Sequence, residues 1–209
     1  MSTTITRGWH AALAVLVAVA VIWQVALTLD ADRSLVNLFS YFTIESNLLV
    51  MVGATGVAID PRRSGPVFGA VRLAGLVGIT VTGIVYSTIL AGSLDLTGAD
   101  VVLDAIFHYI VPAAAVIGFV LIQPRTPLDR SAWWFLVWPL AWLAYTLVRA
   151  VAVSPTYPLS DTETGRVPYG FLDFDANGAL SVAIACVLVT LLASLLASFY
   201  LRLGGVRRD

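Results

Sequence analysis

The chain has 209 residues, 59% hydrophobic and only 12% charged, with a formal net charge of −1 and a mean hydropathy of +0.90. An ordinary soluble domain carries roughly 25% charged residues, so this composition excludes a water-soluble globule and points to an integral membrane protein. All basic residues are arginines, which rules out lysine Schiff bases of the retinal or pyridoxal kind, and the single cysteine, Cys186, cannot form an internal disulfide.

Six apolar stretches lie at about 9–29, 36–59, 67–91, 101–122, 132–153 and 176–201, each near the ~20 residues of a bilayer crossing. Span 1 follows Arg7 much as a signal sequence would. Its apolar run, however, exceeds the ~7–15 residues of a signal core, and Asp30-Ala31-Asp32-Arg33-Ser34 offers no small-x-small cleavage site, so it is expected to be retained. The links are short. The expectation is a single domain over residues 1–209, an all-α bundle of six membrane helices. The longest link, Ser154 to Asp175, is expected to cap one end of it.

Arg7, Arg62, Arg63, Arg72, Arg125, Arg130, Arg202, Arg207 and Arg208 fall at the termini or in the second and fourth links. The other links carry Asp30, Asp32, Asp95, Asp100, Asp104, Asp161, Glu163, Asp173 and Asp175, with Arg33 and Arg166 as their only arginines. This positive-inside distribution puts both termini in the cytoplasm and the acidic links outside, as expected for a multi-pass protein of the plasma membrane. The arginines form no continuous stripe, so no nucleic-acid partner is expected. His10 and His108 belong to opposite ends of the bundle, roughly 30 Å apart, and cannot share a metal. No metal or cofactor is expected.

Polar groups inside apolar spans are costly unless paired or functional. Span 2 holds Thr43, Glu45 and Asn47, with Ser40, Thr43 and Asn47 at the i, i+3, i+7 spacing of one helical stripe. Entering from outside, it places Thr43 roughly 10 Å deep. Span 3 brings Tyr86 to its outer third. Span 4 carries Asp104 and His108 at i, i+4, with Pro112 beyond, and puts His108 roughly 9 Å deep. Span 5 aligns Trp138, Trp142, Tyr145 and Arg149, an aromatic wall ending in a cation that should meet a carboxylate, either on a lipid or from Asp173. Asn177 and Ser181 open span 6. Glu45 faces another way, toward Arg72 or a buried hydroxyl. Each residue also has a plain structural use. Thr43 can bond back to its own helix. Asn47 can tie helices together, Arg149 can snorkel, Tyr86 can join an aromatic belt, and Asp104 can cap a helix start.

The common level of these residues suits a chemical site. A threonine hydroxyl needs a base to become a nucleophile, and His108 lies at the same depth. Asp104 can orient the imidazole in the manner of a catalytic triad. Asn47, Tyr86 or Arg149 can stabilise an oxyanion.

The segments YFTIESN in span 2, HYIVP in span 4 and PYGFLD before span 6 resemble the androgen-induced gene and androgen-dependent TFPI-regulating proteins and their bacterial relatives. That family consists of six-span membrane proteins with cytoplasmic termini, described as intramembrane threonine hydrolases of fatty acid esters of hydroxy fatty acids. The resemblance implies that Thr43, after Tyr41 and Phe42, is the nucleophile. It implies that His108, ahead of Pro112, is its partner histidine, and that a fatty-acyl ester entering from the outer leaflet is the substrate. The aromatic-Phe-Leu-acid pattern is matched by Tyr169, Gly170, Phe171, Leu172 and Asp173, with Gly170 where the pattern suggests proline. The competing expectations are a lipid- or small-molecule-binding or transport protein using the same outer pocket, and a proton relay through Glu45, His108 and Arg149.

Overall fold

The computed structural model describes residues 3–122, 128 and 130–205; Arg125, Arg207 and Arg208 of the charge pattern lie outside the described residues. Six helical stretches among them are long and apolar enough to cross a bilayer: Thr3–Asp30, Phe42–Ile59, Pro66–Leu90, Ala99–Val120, Arg130–Ala152 and Phe174–Gly204. The fold is an all-α multi-pass membrane bundle. Apolar side chains such as Val151, Leu180 and Leu195 stay exposed on its outer surface, where lipid would cover them.

Helix α1 (Thr3–Asp30) is followed by a second span that is broken, where the sequence suggested one helix over 36–59. A short α2 (Leu35–Phe39) is capped by Ser34, whose Oγ accepts from the Asn37 N–H at 3.2 Å. Tyr41 then takes an extended backbone (φ −72°, ψ 127°), and α3 (Phe42–Ile59) begins after it. Ser40, Thr43 and Asn47 therefore do not share one continuous helix. Thr43 stands in the first turn of α3.

Spans 3 and 4 each contain a π-helical turn near the acidic end. Tyr86–Leu90 follows α4 (Pro66–Val85), and Ile106–Ile110 separates α5 (Ala99–Ala105) from α6 (Val111–Val120). The second has a cause in the sequence. Pro112 has no N–H to give the His108 carbonyl, so the α-helical ladder is open there. The Val111 N–H reaches back five residues to the Ile106 carbonyl. Arg72, counted with the second link, lies well inside α4 and is buried.

Helices α3 and α4 form the centre. Gly75 permits their approach: a Cβ there would sit 3.0 Å from the backbone of Leu49 and Val50. Small residues do this in membranes, where dispersion and close packing replace the hydrophobic drive between helices. Leu73, Ile79, Val17 and Val111 fill the buried core around them. Span 5 opens with a 3₁₀ segment (Arg130–Leu136) that runs into α7 (Val137–Ala152), and α8 (Phe174–Gly205) turns at Gly178, which has φ +73°.

The link before α8 caps the acidic end, as expected. Strands β1 (Tyr157–Pro158) and β2 (Thr164–Gly165) pair antiparallel, and a 3₁₀ turn (Gly170–Leu172) follows. Tyr157, Val167 and Leu172 are buried beneath it. The Asn37 amide donates to the Thr156 carbonyl at 3.0 Å, and the Asp95 N–H donates to Asp161 Oδ1 at 2.9 Å, fixing the cap to α2 and to the neighbouring link.

The arginine distribution leads to the expectation that this cap is external. With Cys186 replaced by Ala, a Thr162→Cys variant is expected to react with an impermeant thiol reagent in intact cells. Labelling only after permeabilisation would invert the topology.

Candidate functional site

The break in span 2 frees backbone groups that need partners in a medium without water. The Ser40 carbonyl is taken by the Trp142 indole N–H at 3.0 Å. The Thr43 N–H, one of the orphan donors of a helix start, is taken by the Tyr169 hydroxyl at 3.1 Å. Tyr169 is thus a cap for α3 delivered by the link before α8. It was quoted in the sequence only as part of a resembling segment. Its signal was faint: a phenol in a loop with no periodicity to place it. Burial pushes its phenol up to about 12, against the pull of the Thr43 hydroxyl and backbone, so it keeps its proton at neutral pH.

The Thr43 hydroxyl lies 3.3 Å from His108 Nε2 and 3.3 Å from the Tyr169 hydroxyl. On the other side of the ring, His108 Nδ1 is 2.9 Å from Asp104 Oδ1 and 3.2 Å from the Asp104 carbonyl oxygen. Two acceptors at Nδ1 fix its proton there and leave Nε2 as the acceptor facing Thr43. The His108 and Asp104 side chains are only 17% and 19% exposed. Asp104 turns inward to the imidazole and stands near the end of α5, whose start is capped at Gly98.

Tyr86 stacks on His108, with ring centroids 3.7 Å apart and planes 11° from parallel. Its hydroxyl lies within electrostatic reach of the same Asp104 carboxylate. Both rings rise from π-helical turns, which widen a helix locally and often occur at functional sites. Gly83 leaves room for the approach: a Cβ there would meet Pro112 at 3.1 Å and the His108 carbonyl at 3.4 Å.

Two cavities meet at this group. One, of about 130 Å³, is apolar and lies between spans 3, 5 and 6, lined by Val81, Val85, Trp138, Trp142, Phe171 and Val189 among others. The second, of about 460 Å³, lies under the cap and includes Arg33, Asn37, Asp100, Asp104 and His108. Thr43, Tyr86, Leu90 and Tyr169 line both. The Thr43 hydroxyl therefore stands between an apolar chamber and a more polar one.

Thr43, His108, Asp104 and Tyr86 come together as expected. Asn47 and Arg149 do not join them as oxyanion donors. Asn47 sits one turn deeper, its amide donating to the Thr43 carbonyl at 2.8 Å and to the Phe107 carbonyl at 3.4 Å. It ties α3 to the π turn that carries His108 and lines neither cavity. Arg149 donates to the Tyr157 hydroxyl and, at 2.8 Å, to Asn37 Oδ1. It meets no Asp173 carboxylate. Asp173 instead accepts from the Asp175 and Ala176 N–H groups at 2.9 and 3.2 Å, capping α8. Glu45 accepts from the Trp138 indole at 2.7 Å and is not paired with Arg72. Trp138 and Trp142 enclose Phe42, at 4.7 and 5.0 Å between ring centroids, so the aromatic wall reaches the start of α3. Tyr145 serves Ser40, hydroxyl to hydroxyl at 3.0 Å.

Arg149 is a clasp between span 5, α2 and the cap. Arg149→Gln is expected to destabilise the folded protein by about 1–3 kcal/mol, followed by thermal unfolding in detergent. Arg149→Lys should recover only part, because a point charge cannot hold two divergent oxygens. An unchanged midpoint in Arg149→Gln would remove the clasp. Comparison with models of protein families, with curated proteins and with solved structures finds no match to this chain.

Proposed function

We propose that this protein is an intramembrane ester hydrolase with Thr43 as nucleophile and His108 as base. One observation carries the proposal: a hydrogen-bonded series from Thr43 Oγ1 through His108 to Asp104, set where an apolar cavity meets a polar one. The substrate class follows from the two chambers. The few carbons of a fatty-acyl chain next to the ester fit the apolar chamber of about 130 Å³, the rest of the chain staying in lipid; its carbonyl reaches Thr43, and the alcohol portion and water occupy the more polar chamber, the vestibule. The resemblance of YFTIESN and HYIVP to the threonine hydrolases of fatty acid esters of hydroxy fatty acids supports the same residues and substrate class. The arginine distribution supports a place in the plasma membrane with substrate entering from the outer leaflet.

The chemistry is a double displacement. His108 Nε2 takes the Thr43 proton as Oγ1 bonds to the ester carbonyl carbon. The imidazolium is stabilised by Asp104 and covered by Tyr86. The tetrahedral oxyanion forms beside the start of α3, where backbone N–H groups and helix polarity favour negative charge. Tyr169 accepts from the Thr43 N–H and holds its own proton free for that oxygen. The alcohol leaves with the proton from His108, giving an acyl ester on Thr43. Water from the vestibule then gives its proton to His108 and its oxygen to the acyl carbon, releasing the fatty acid and restoring the hydroxyl.

A fluorophosphonate probe is expected to label the wild type and not Thr43→Ala. Thr43→Ala and His108→Ala should each abolish hydrolysis of a long-chain ester in protein that still inserts. The double variant should be little worse than either, because the residues act as a unit. Thr43→Ser should retain activity. Undiminished hydrolysis by Thr43→Ala would sink the threonine mechanism and leave lipid binding as the use of the cavity.

Two further variants test the surroundings. Asp104→Asn should lower kcat roughly 10²–10⁴-fold by upsetting the imidazole tautomer. Tyr169→Phe should lower it roughly 10²–10³-fold with little change in KM if its proton serves the oxyanion. A rise in KM alone would restrict Tyr169 to shaping the cavity.

A further inference from the structure

A second polar site lies in the other half of the bundle, toward the arginine-rich end. Arg72 is roughly 9 Å along α4 from its first residue. An arginine at that depth could reach the interface along its own aliphatic stem. It does not: Arg72 is only 6% exposed. Its Nη1 has no hydrogen-bond partner among the described residues. Nor does a carboxylate reach it, since the ion pairs among those residues are His108 with Asp104 and Arg166 with Asp175, and Glu45 is held by Trp138. The Phe119 ring lies 5.2 Å from the guanidinium carbon. A ring face attracts a cation but does not neutralise it.

The space beside this cation is built. A cavity of about 30 Å³ is lined by Arg72, His10, Leu13, Leu76, Ala115 and Phe119 with parts of α3. His10 is 6% exposed and fixed on one side, its Nδ1 lying 2.9 Å from the Thr6 carbonyl. That bond places the proton on Nδ1 and leaves Nε2 an acceptor on a ring that lines the cavity. His10 from α1 and Arg72 from α4 are the titratable groups among the lining residues; α3 and α6 contribute none.

We propose that this cavity binds one small monovalent anion of halide size, with Arg72 supplying the countercharge. A lone buried guanidinium in hydrocarbon calls for such a partner. The volume suits it: on this measure one water needs roughly 10–15 Å³, so the space takes a halide and is too small for a lipid phosphate with its glycerol. The entering anion draws a proton onto His10 Nε2, which turns that nitrogen into a second donor. The site is separate from the threonine group and does not depend on the ester chemistry.

The test uses the full chain purified in detergent in a chloride-free gluconate buffer. Sodium chloride or bromide, added at constant ionic strength, is expected to raise the unfolding midpoint by roughly 3–5 °C for each tenfold rise above half-saturation. Gluconate is too large to enter and should have no effect. Arg72→Met keeps the stem and should lose the response. Wild-type binding should be tighter near about pH 6 than near about pH 8, and His10→Ala should remove that difference. Crystals of the wild type soaked in bromide should show an anomalous peak beside Arg72, whether or not the variants fold. No halide response in the wild type, an equal response in Arg72→Met, or no bromide at Arg72 would overturn the site. Equal wild-type affinity at both pH values would overturn the part given to His10.

Discussion

The site depends on one interruption of backbone hydrogen bonding, at Ser40 and Tyr41. In hydrocarbon a freed carbonyl or N–H has no water to turn to, and each one left unpaired costs several kcal/mol. Here two of the freed groups find side chains: Trp142 of span 5 takes the Ser40 carbonyl, and Tyr169 of the capping link takes the Thr43 N–H. The break is therefore held by two elements distant in sequence. Those same elements enclose the space in front of Thr43. Had span 2 continued as one helix, the Thr43 N–H would have been used by the preceding turn and Tyr169 would have no reason to be there. The geometry around the hydroxyl follows from satisfying the backbone.

The histidine side is built on the same logic. Pro112 removes a helical donor, and the widened turn that results projects His108 toward α3. Asn47 then locks α3 to that turn by bonding carbonyls on both sides, at Thr43 and Phe107. Tyr86 covers the imidazole from a second widened turn. A carboxylate, an imidazole and a hydroxyl held in a low-dielectric surrounding interact more strongly than they would in water, but only while each has its partner. Asp104 has His108 at 2.9 Å. Arg72, by contrast, has none of that kind.

Much of this was legible in the sequence because the bilayer makes polar residues rare. The six spans followed from run length, and Thr43, His108, Asp104 and Tyr86 followed from depth, since each apolar span has few places to hide a polar group. What depth could not supply was angle. Asn47 lies on the right stripe but points its amide at carbonyls. Arg149 lies at the right level but around the bundle, where Asn37 and Tyr157 claim it. Glu45, expected to meet Arg72 or a buried hydroxyl, is met by an indole N–H. The break at Tyr41 was invisible because neither proline nor glycine marks it; its causes are the side chains of Trp142 and Tyr169, more than 100 residues on. Tyr169 was illegible for the same reason: a loop residue acquires its position only from the folded cap.

In the proposed ester hydrolysis, the placement of the two chambers would give the bilayer a part in the chemistry. An acyl chain gains little from leaving lipid for the apolar cavity, because both are hydrocarbon. Binding energy from the chain therefore cannot select a substrate strongly by length. Discrimination would fall to the wall shared by the chambers, which Thr43, Tyr86 and Tyr169 line. Interactions at that wall strengthen when the carbonyl oxygen acquires charge, and they are weak in the ground state. That is the condition for raising turnover in place of affinity. A site of this design tolerates variation in chain length and is strict about the polarity and size of whatever flanks the ester carbonyl on the vestibule side.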